Sequence, residues 1–362
     1  RAEDALTAAE VWKTTNAGTF PSYASRNIYT RGGTLTGGVG AGGIGGGTTF
    51  PTAQQTAALV RTGGPANYEV TGSDNALYIK GNQTKEGTAP GKLRPRTTVM
   101  GDVVDSSPAY VTDTNTVYIG ANDGMLHAIS ADDADGGKEI WAYVPTAVMP
   151  NMYKLADKGY GGKHQYFVDG APVIGDVKIG GAWKTIIVGG LNKGGNSYYA
   201  LDITDPSNPV MLWEFTDADD PQMGNVVTQP VLMKLKVPGA SGSPATYKWF
   251  VVVGSGYNNY KADGNVTTSG AQAMFFLSVD KAANAASAMP VFLMLISSLY
   301  LCRPRQRTDG AMVASPRVLR EGDVRELRFR RVTPRNRSPS RSTHKDRAPS
   351  RLRDPGLPSQ AG

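Results

Sequence analysis

Carboxylates crowd the sequence in two places, and their type and spacing suit cation binding. Asp132, Asp133 and Asp135, with Glu139 close behind, precede Trp141; Asp217, Asp219 and Asp220 follow Trp213. Calcium takes about six to eight oxygen ligands, so close carboxylates in a glycine-bearing turn could serve it. Asp132, Asp133 and Asp135 are therefore the candidate metal residues. An EF-hand frame does not fit, because its first position falls on Ala131 and its last on Ala142. The competing reading is a solvated hairpin turn, as for Asp263-Gly264-Asn265. Asp105, Ser106 and Ser107, with His127 and His164, are hydrolase residue types. No G-x-S-x-G elbow surrounds either serine, however, and Pro108 suits a strand start. His127, in the run MLHAI, reads as a structural histidine. A lone Cys302 forms no internal disulfide, and with His127, His164 and His344 it supplies too few ligands for a Cys/His zinc cluster. Gly40, Gly42 and Gly45 spell G-x-G-x-x-G, but Phe50-Pro51 follows where a helix should open. No catalytic or cofactor-binding residue is assigned, and the chain is expected not to be an enzyme.

The elements that must position these residues read as all-β. From Val99 to Asp280, short β-branched and aromatic runs are cut by Gly, Pro, Asn and Asp. The pattern repeats. SSPAYV, TVYIGANDGMLHAIS and KEIWAYVP are followed by GAPVIGDV, KTIIVGGLNKGGNSYYALDIT and VMLWEFTD, then by TQPVLMKL, KWFVVVGSGY and AMFFLSVD. Pro108, Pro172 and Pro230 stand near each first strand. Gly120, Gly189 and Gly254 end the second, Ala128, Ala200 and Leu277 lie in the third, and Trp141 and Trp213 mark the fourth. Four-stranded units in series indicate a β-propeller. Asp123-Gly124 suits a tight hairpin, and each Trp offers apolar surface to the neighbouring blade. No Trp follows the third unit, so about two and a half blades are expected, with an open edge. The expected contact loops are Asn122 to Gly124, Asp157 to His164, Asn192 to Ser197 and Tyr257 to Asn265.

The ends differ from this middle. Glu3 to Lys13 reads as a short helix, and Gly32 to Gly47 holds ten glycines in sixteen residues, a flexible or irregular loop. The start lacks an apolar signal segment. Pro290 to Cys302 is apolar but would span only about 20 Å as a helix, too short for a membrane. Of the net charge of +7, residues 303–362 carry +10 from 15 Arg and one Lys against six acids, and the preceding 302 carry −3. The switch from Lys to Arg and the loss of the repeat coincide, as an out-of-frame or foreign end would produce. The organisation read from sequence is an N-terminal segment (1–93), a propeller fragment (94–285), a short apolar run (286–302) and a disordered Arg/Pro/Ser-rich tail (303–362).

GDVVDSSPAYV (101–111), VYIGANDGMLHAIS (117–130), YVPTAVMPNMYKLAD (143–157), HQYFVDGAPVIGDV (164–177) and WKTIIVGGLNKGGNSYYALDITDP (183–206) closely resemble the PilC/PilY family. The resemblance runs from Arg94 to about Ala283 and extends upstream through SRNIYT (25–30). It implies a truncated, non-catalytic protein of the type IV pilus, supporting pilus assembly, surface adhesion and twitching motility. It implies location at the pilus, cell surface or outer membrane of a Gram-negative bacterium, with pilin and minor pilin subunits, and a host or abiotic surface, as partners. Family members carry a calcium loop, D-x-D-x-N/D-x-x-x-D, which is not found in this chain, nor is the D-x-S-x-S motif of a von Willebrand A-like domain. Two alternatives stand beside it. Trp-bearing blades also occur in quinoprotein dehydrogenases, which bind a quinone and calcium and usually carry a vicinal disulfide that one Cys excludes. The Arg-rich tail would bind nucleic acid through phosphate neutralisation, with almost no aromatic platform for bases.

Overall fold

The computed structural model describes residues 2–3, 10–14, 20–31, 49–60, 71–220, 222–237, 243–257, 273–279 and 294–295. The chain divides after Thr308 into two units, and every described residue lies in the first. The glycine-rich run 32–47, the Asp263-Gly264-Asn265 turn, Cys302, His344 and the Arg-rich tail lie outside the described residues.

Strands β1 (Ala2–Glu3) and β2 (Glu10–Trp12) pair antiparallel. The helix expected over Glu3 to Lys13 is thus replaced by extended chain at both ends. A lone helix shorter than about 12–15 residues is marginal in water, and Val11 and Trp12 favour strand once a partner strand is present. Strand β3 (Ile28–Thr30) follows, then helices α1 (Ala53–Ala58) and α2 (Gly72–Lys80). Thr52 and Gln55 cap α1 reciprocally, side chain to backbone in both directions. Thr71 caps α2 at its start, and Gly81, at φ +108°, ends it in the left-handed conformation that favours glycine.

Three sheets follow. The first joins β4 (Ala109–Val111), β5 (Thr116–Ala121), β6 (Met125–Ser130) and β7 (Glu139–Val144) as an antiparallel meander. β3 adds to β7 in parallel as a fifth strand. Helix α3 (Met149–Met152) leads onward to the second sheet, β8 (Val173–Ile179), β9 (Ala182–Gly190), β10 (Ser197–Asp202) and β11 (Val210–Thr216). The third comprises β12 (Val231–Val237), β13 (Thr246–Gly254), β14 (Ala273–Ser278) and β15 (Met294–Leu295). Pro108, Pro172 and Pro230 directly precede β4, β8 and β12, where a missing N–H costs no ladder bond. The chain is all-β, its three larger sheets each built on the four-stranded meander of a propeller blade, and among the described residues the sheets do not close into a ring.

Two sequence readings change here. The third sheet has a fourth strand, because Met294 and Leu295, from the apolar run, pair with Met274 and Ala273. The repeat frame also moves by one residue at two positions. Gly120 lies opposite Leu126 and Ala128 opposite Trp141; in the second sheet Gly190 lies opposite Tyr198 and Ala200 opposite Trp213. Gly190, not Gly189, therefore matches Gly120. In the third sheet Gly254 lies opposite Met274, which puts Phe276 rather than Leu277 in the place of Ala200. The doubled glycine Gly189-Gly190 conceals the frame in the sequence, whereas the ladder counts residues from both strands.

The core runs through successive sheets. Trp141 and Trp213 are fully buried, as expected for repeat residues. Tyr143 meets Tyr199 at 5.6 Å between ring centroids, and Phe215 meets Phe275 at 5.2 Å, so the residue two past each Trp packs on the third strand of the next sheet. Trp141 Nε1 donates to the Pro206 carbonyl at 2.7 Å, tying the first sheet to the β10–β11 loop. Among the described residues no helix is long and apolar enough to cross a membrane.

Candidate functional site

The loops before the first strands and after the second strands lie together at one end of the sheets. Their short polar side chains hold the backbone. Ser106 Oγ accepts from Gly120 N at 3.0 Å, and Thr228 Oγ1 accepts from Gly254 N at 3.2 Å, the same bond in the first and third sheets. Gly170 occupies this place in the second sheet, where a Cβ would lie 2.2 Å from the Gly190 carbonyl oxygen. The strands approach too closely there for any side chain.

Asn122 and Asn192, each two residues past a repeat glycine, do matching work. Asn122 donates to Asp102 Oδ2 at 2.9 Å and accepts from Phe167 N at 3.0 Å. Asn192 Nδ2 reaches Asp105 Oδ2 at 3.2 Å and Asp169 Oδ2 at 3.1 Å, while Asp169 Oδ1 accepts from Asp105 N at 3.0 Å. Lys193 Nζ closes on Asp105 at 2.8 Å and His164 Nε2 lies 2.9 Å from Asp102. The two aspartates are driven apart in acidity. The Lys193 hydrogen bond holds Asp105 below its ordinary range, whereas burial and the Asp105 charge push Asp169 up despite its bond from the Asp105 amide. Asp169 is buried and serves as an interior clamp, with Asp105 and Lys193 outside it.

Beneath this layer lies a buried ionic group. His127 is fully buried, with Nε2 3.1 Å from Asp123 Oδ2. Glu139 Oε1 stands 3.9 Å from Nδ1, beyond hydrogen-bond reach, so it acts on the ring through charge. Burial opposes the imidazolium, but the two carboxylates outweigh it and lift His127 to about 9. Arg26 binds Glu139 with Nε and Nη2 at 2.9 Å each. Burial raises the Asp123 and Glu139 carboxyls, and their cationic partners more than reverse it, leaving both low. Another buried carboxylate, Glu214, accepts from the Tyr143 hydroxyl at 2.6 Å and from Thr146 N and Oγ1, with Arg31 Nη1 at 3.8 Å.

The residues singled out from sequence fall in several places. Asp132, Asp133 and Asp135 are exposed in the β6–β7 turn, where Asn115 donates to Asp132 and Lys138 pairs with Asp135. Glu139, grouped with them in sequence, is instead the first residue of β7 and buried against Arg26, because its partner comes from 113 residues upstream. Asp217 accepts from Asn196, Asp219 from Thr216 and Asp220 from Gln222 N. Among the described residues no three His, Cys, Asp or Glu side chains gather as a metal would need. Asp123-Gly124 forms the expected hairpin, with Gly124 at φ +92°. Of the expected contact loops, Asn122, Asp123 and Asn192 are committed to internal bonds, Tyr257 is exposed, and 258–265 lie outside the described residues. The set Asp102, Asp105, Asp169 and Lys193 was missed as a group. Its sequence signal is the recurrence of Asp-x-x-Pro in Asp105 to Pro108 and Asp169 to Pro172.

Solvent meets Asp102, Val103, Val104, Asp105, His164 and Lys193 across this end, and Lys193 Nζ lies 4.8 Å from the Tyr166 ring centroid. Beside it opens a cavity of about 250 Å³ lined by Tyr78, Arg94, Arg96, Asp102, Asp123 and Tyr160. Arg94 stacks on Tyr160 and Arg96 on Tyr78. The chemistry offered is recognition of mixed polar and charged groups on a braced surface.

The family model of the PilY1 beta-propeller domain matches residues 98–289. The chain belongs to this family. Curated PilY1 relatives agree. A type IV pilus biogenesis factor PilY1 homolog of Xylella fastidiosa (strain Temecula1) is 41% identical over 212 residues, 50% of this chain and 16% of that protein. Type IV pilus biogenesis factor PilY1 of Pseudomonas aeruginosa (strain PAK) is 35% identical over 219 residues, 53% of this chain and 18% of that protein. The match spans about a sixth of the length of these PilY1 relatives. The crystal structure of the Pseudomonas aeruginosa PilY1 C-terminal domain is 34% identical, with a TM-score of 0.34, and the match covers 46% of this chain and 28% of that one.

Proposed function

We propose that the chain is part of a type IV pilus biogenesis factor, located at the pilus or surface of a Gram-negative bacterium, where it supports pilus assembly, adhesion and twitching by contact rather than catalysis. Pilin or minor pilin subunits are the partners this reading implies. The supporting observation is the division of labour in the loop end: Asp169, Asn192, Asn122 and Ser106 are spent on holding adjacent loops, while Lys193, Asp105, His164 and Asp102 stand outward on that braced base. A surface whose ordering is complete before contact loses little conformational freedom on binding. Membership of the PilY1 propeller family and the role of its relatives as type IV pilus biogenesis factors point the same way.

The test is genetic. In the bacterium that encodes the chain, deleting its coding sequence should reduce surface pilin and shrink twitching zones. Restoring it with K193E and H164A should rescue only partly, at unchanged protein level. Full piliation and motility after deletion would overturn the proposal.

A further inference from the structure

The hairpin tips of β8–β9 and β12–β13 carry a second surface. Trp183 is 62% exposed and Tyr247 63%, an unusual cost in hydrated ring area for two side chains at hairpin ends. Trp183 meets Trp249 edge to face at 6.3 Å between centroids. Lys234 Nζ lies 5.9 Å from the Trp249 ring and 5.5 Å from the Tyr247 ring. In register, Lys178 stands opposite Trp183, Lys234 opposite Trp249 and Lys236 opposite Tyr247. Rings and cations therefore share one stripe: the two indoles touch, Lys234 lies between Trp249 and Tyr247, and each ring has a lysine opposite it. The three lysines are exposed and form no ion pair among the described residues, whereas nearby Lys184 is paired with Asp202 and Asp176 accepts from Thr185.

We infer that this stripe binds an anionic polysaccharide of the polyuronate type. Each uronate unit offers an apolar C–H face for an aromatic ring and one carboxylate for an ammonium, and the stripe sets one lysine opposite each ring. A protein partner fits less well, since interface cores favour aromatic residues but are depleted in lysine. Single-stranded nucleic acid shares the ring-and-charge pattern, and here the choice rests on the surface location proposed above.

The test uses the full chain and its tryptophan fluorescence, titrated with polygalacturonate, fully methyl-esterified pectin, oligo(dT) and polyglutamate. Polygalacturonate should quench, and W183A/Y247A, which leaves every charge including the Arg-rich tail in place, should weaken binding about tenfold. For this variant, gel retardation in polygalacturonate replaces quenching. K234E/K236E should do the same without touching a ring, which keeps the test valid if the aromatic variant folds poorly. The esterified polymer should bind more weakly than the acid. Unchanged polygalacturonate binding by both variants would overturn the inference, as would an equal dependence of oligo(dT) or polyglutamate binding on Trp183 and Tyr247. Either failure leaves the pilus reading intact, because that reading is judged by piliation and motility.

Discussion

At the scale of single residues, the decisive feature is charge placed where water is absent. His127, Asp123, Glu139 and Arg26 form a closed buried set, and removing one member strands the others. The His127 value, raised from an ordinary 6.5 to about 9, makes this a pH-dependent brace. A raised value means that the stabilisation is whole below about 6.5 and is lost as pH rises through about 9. Asp123 and Glu139 are lowered, so their contribution is present above the ordinary carboxylate range and is lost as pH falls. Urea midpoints followed by circular dichroism should therefore be highest near pH 5–6.5 and fall toward pH 9. H127Q should flatten the alkaline limb; an identical slope in that variant would show that the brace does not set it. The sequence reading of His127 as structural agrees with its full burial, but no spacing rule could reveal Arg26 as the counter-ion of Glu139.

At the scale of elements, each blade solves the same junction with a different residue. The first and third use a hydroxyl, Ser106 or Thr228, to satisfy the N–H of the repeat glycine, and the second uses Gly170 under the Gly190 carbonyl. The blades are thus repeats in topology but not interchangeable in sequence. G170S, although it copies Ser106, should lower the unfolding midpoint and cost more than about 2 kcal/mol, since its Cβ collides with backbone that cannot rotate away. S106A should cost less, about 1–2 kcal/mol, because it removes the hydroxyl's bonds to Gly120 N and the Gly170 carbonyl without any backbone collision. Equal urea midpoints for the two variants would show that the close approach at Gly170 is not maintained in solution.

At the scale of the whole molecule, the N-terminal segment is a working part of the first blade. β3 pairs with β7, Arg26 closes on Glu139 of that blade, and Arg31 reaches Glu214 of the next. Gln55 and Val144 extend the tie through Thr30. Removing residues 1–31 would bare the β7 edge and leave two buried carboxylates without their arginines, a combination that favours edge-to-edge association. The truncated chain should run as oligomers in size-exclusion light scattering, and a synthetic peptide spanning residues 20–31 should return part of it to monomer. A truncated monomer with the parent midpoint would refute the clasp. The sequence boundary at residue 94 separates what the fold joins, although the resemblance at SRNIYT already pointed to β3.

Alternation and punctuation in the sequence determined the all-β repeat, the proline before each first strand and the paired tryptophans, because these follow from local geometry and from the burial of one large ring per blade. Its contiguous matches also determined the family. Only the tertiary structure decided which glycine holds the repeat position, that Glu139 is buried while Asp132, Asp133 and Asp135 are exposed, and that Trp183, Lys234 and Tyr247 share one stripe. Register, desolvation and charge pairing depend on partners from distant parts of the chain, and a linear reading holds no measure of which distant residue arrives.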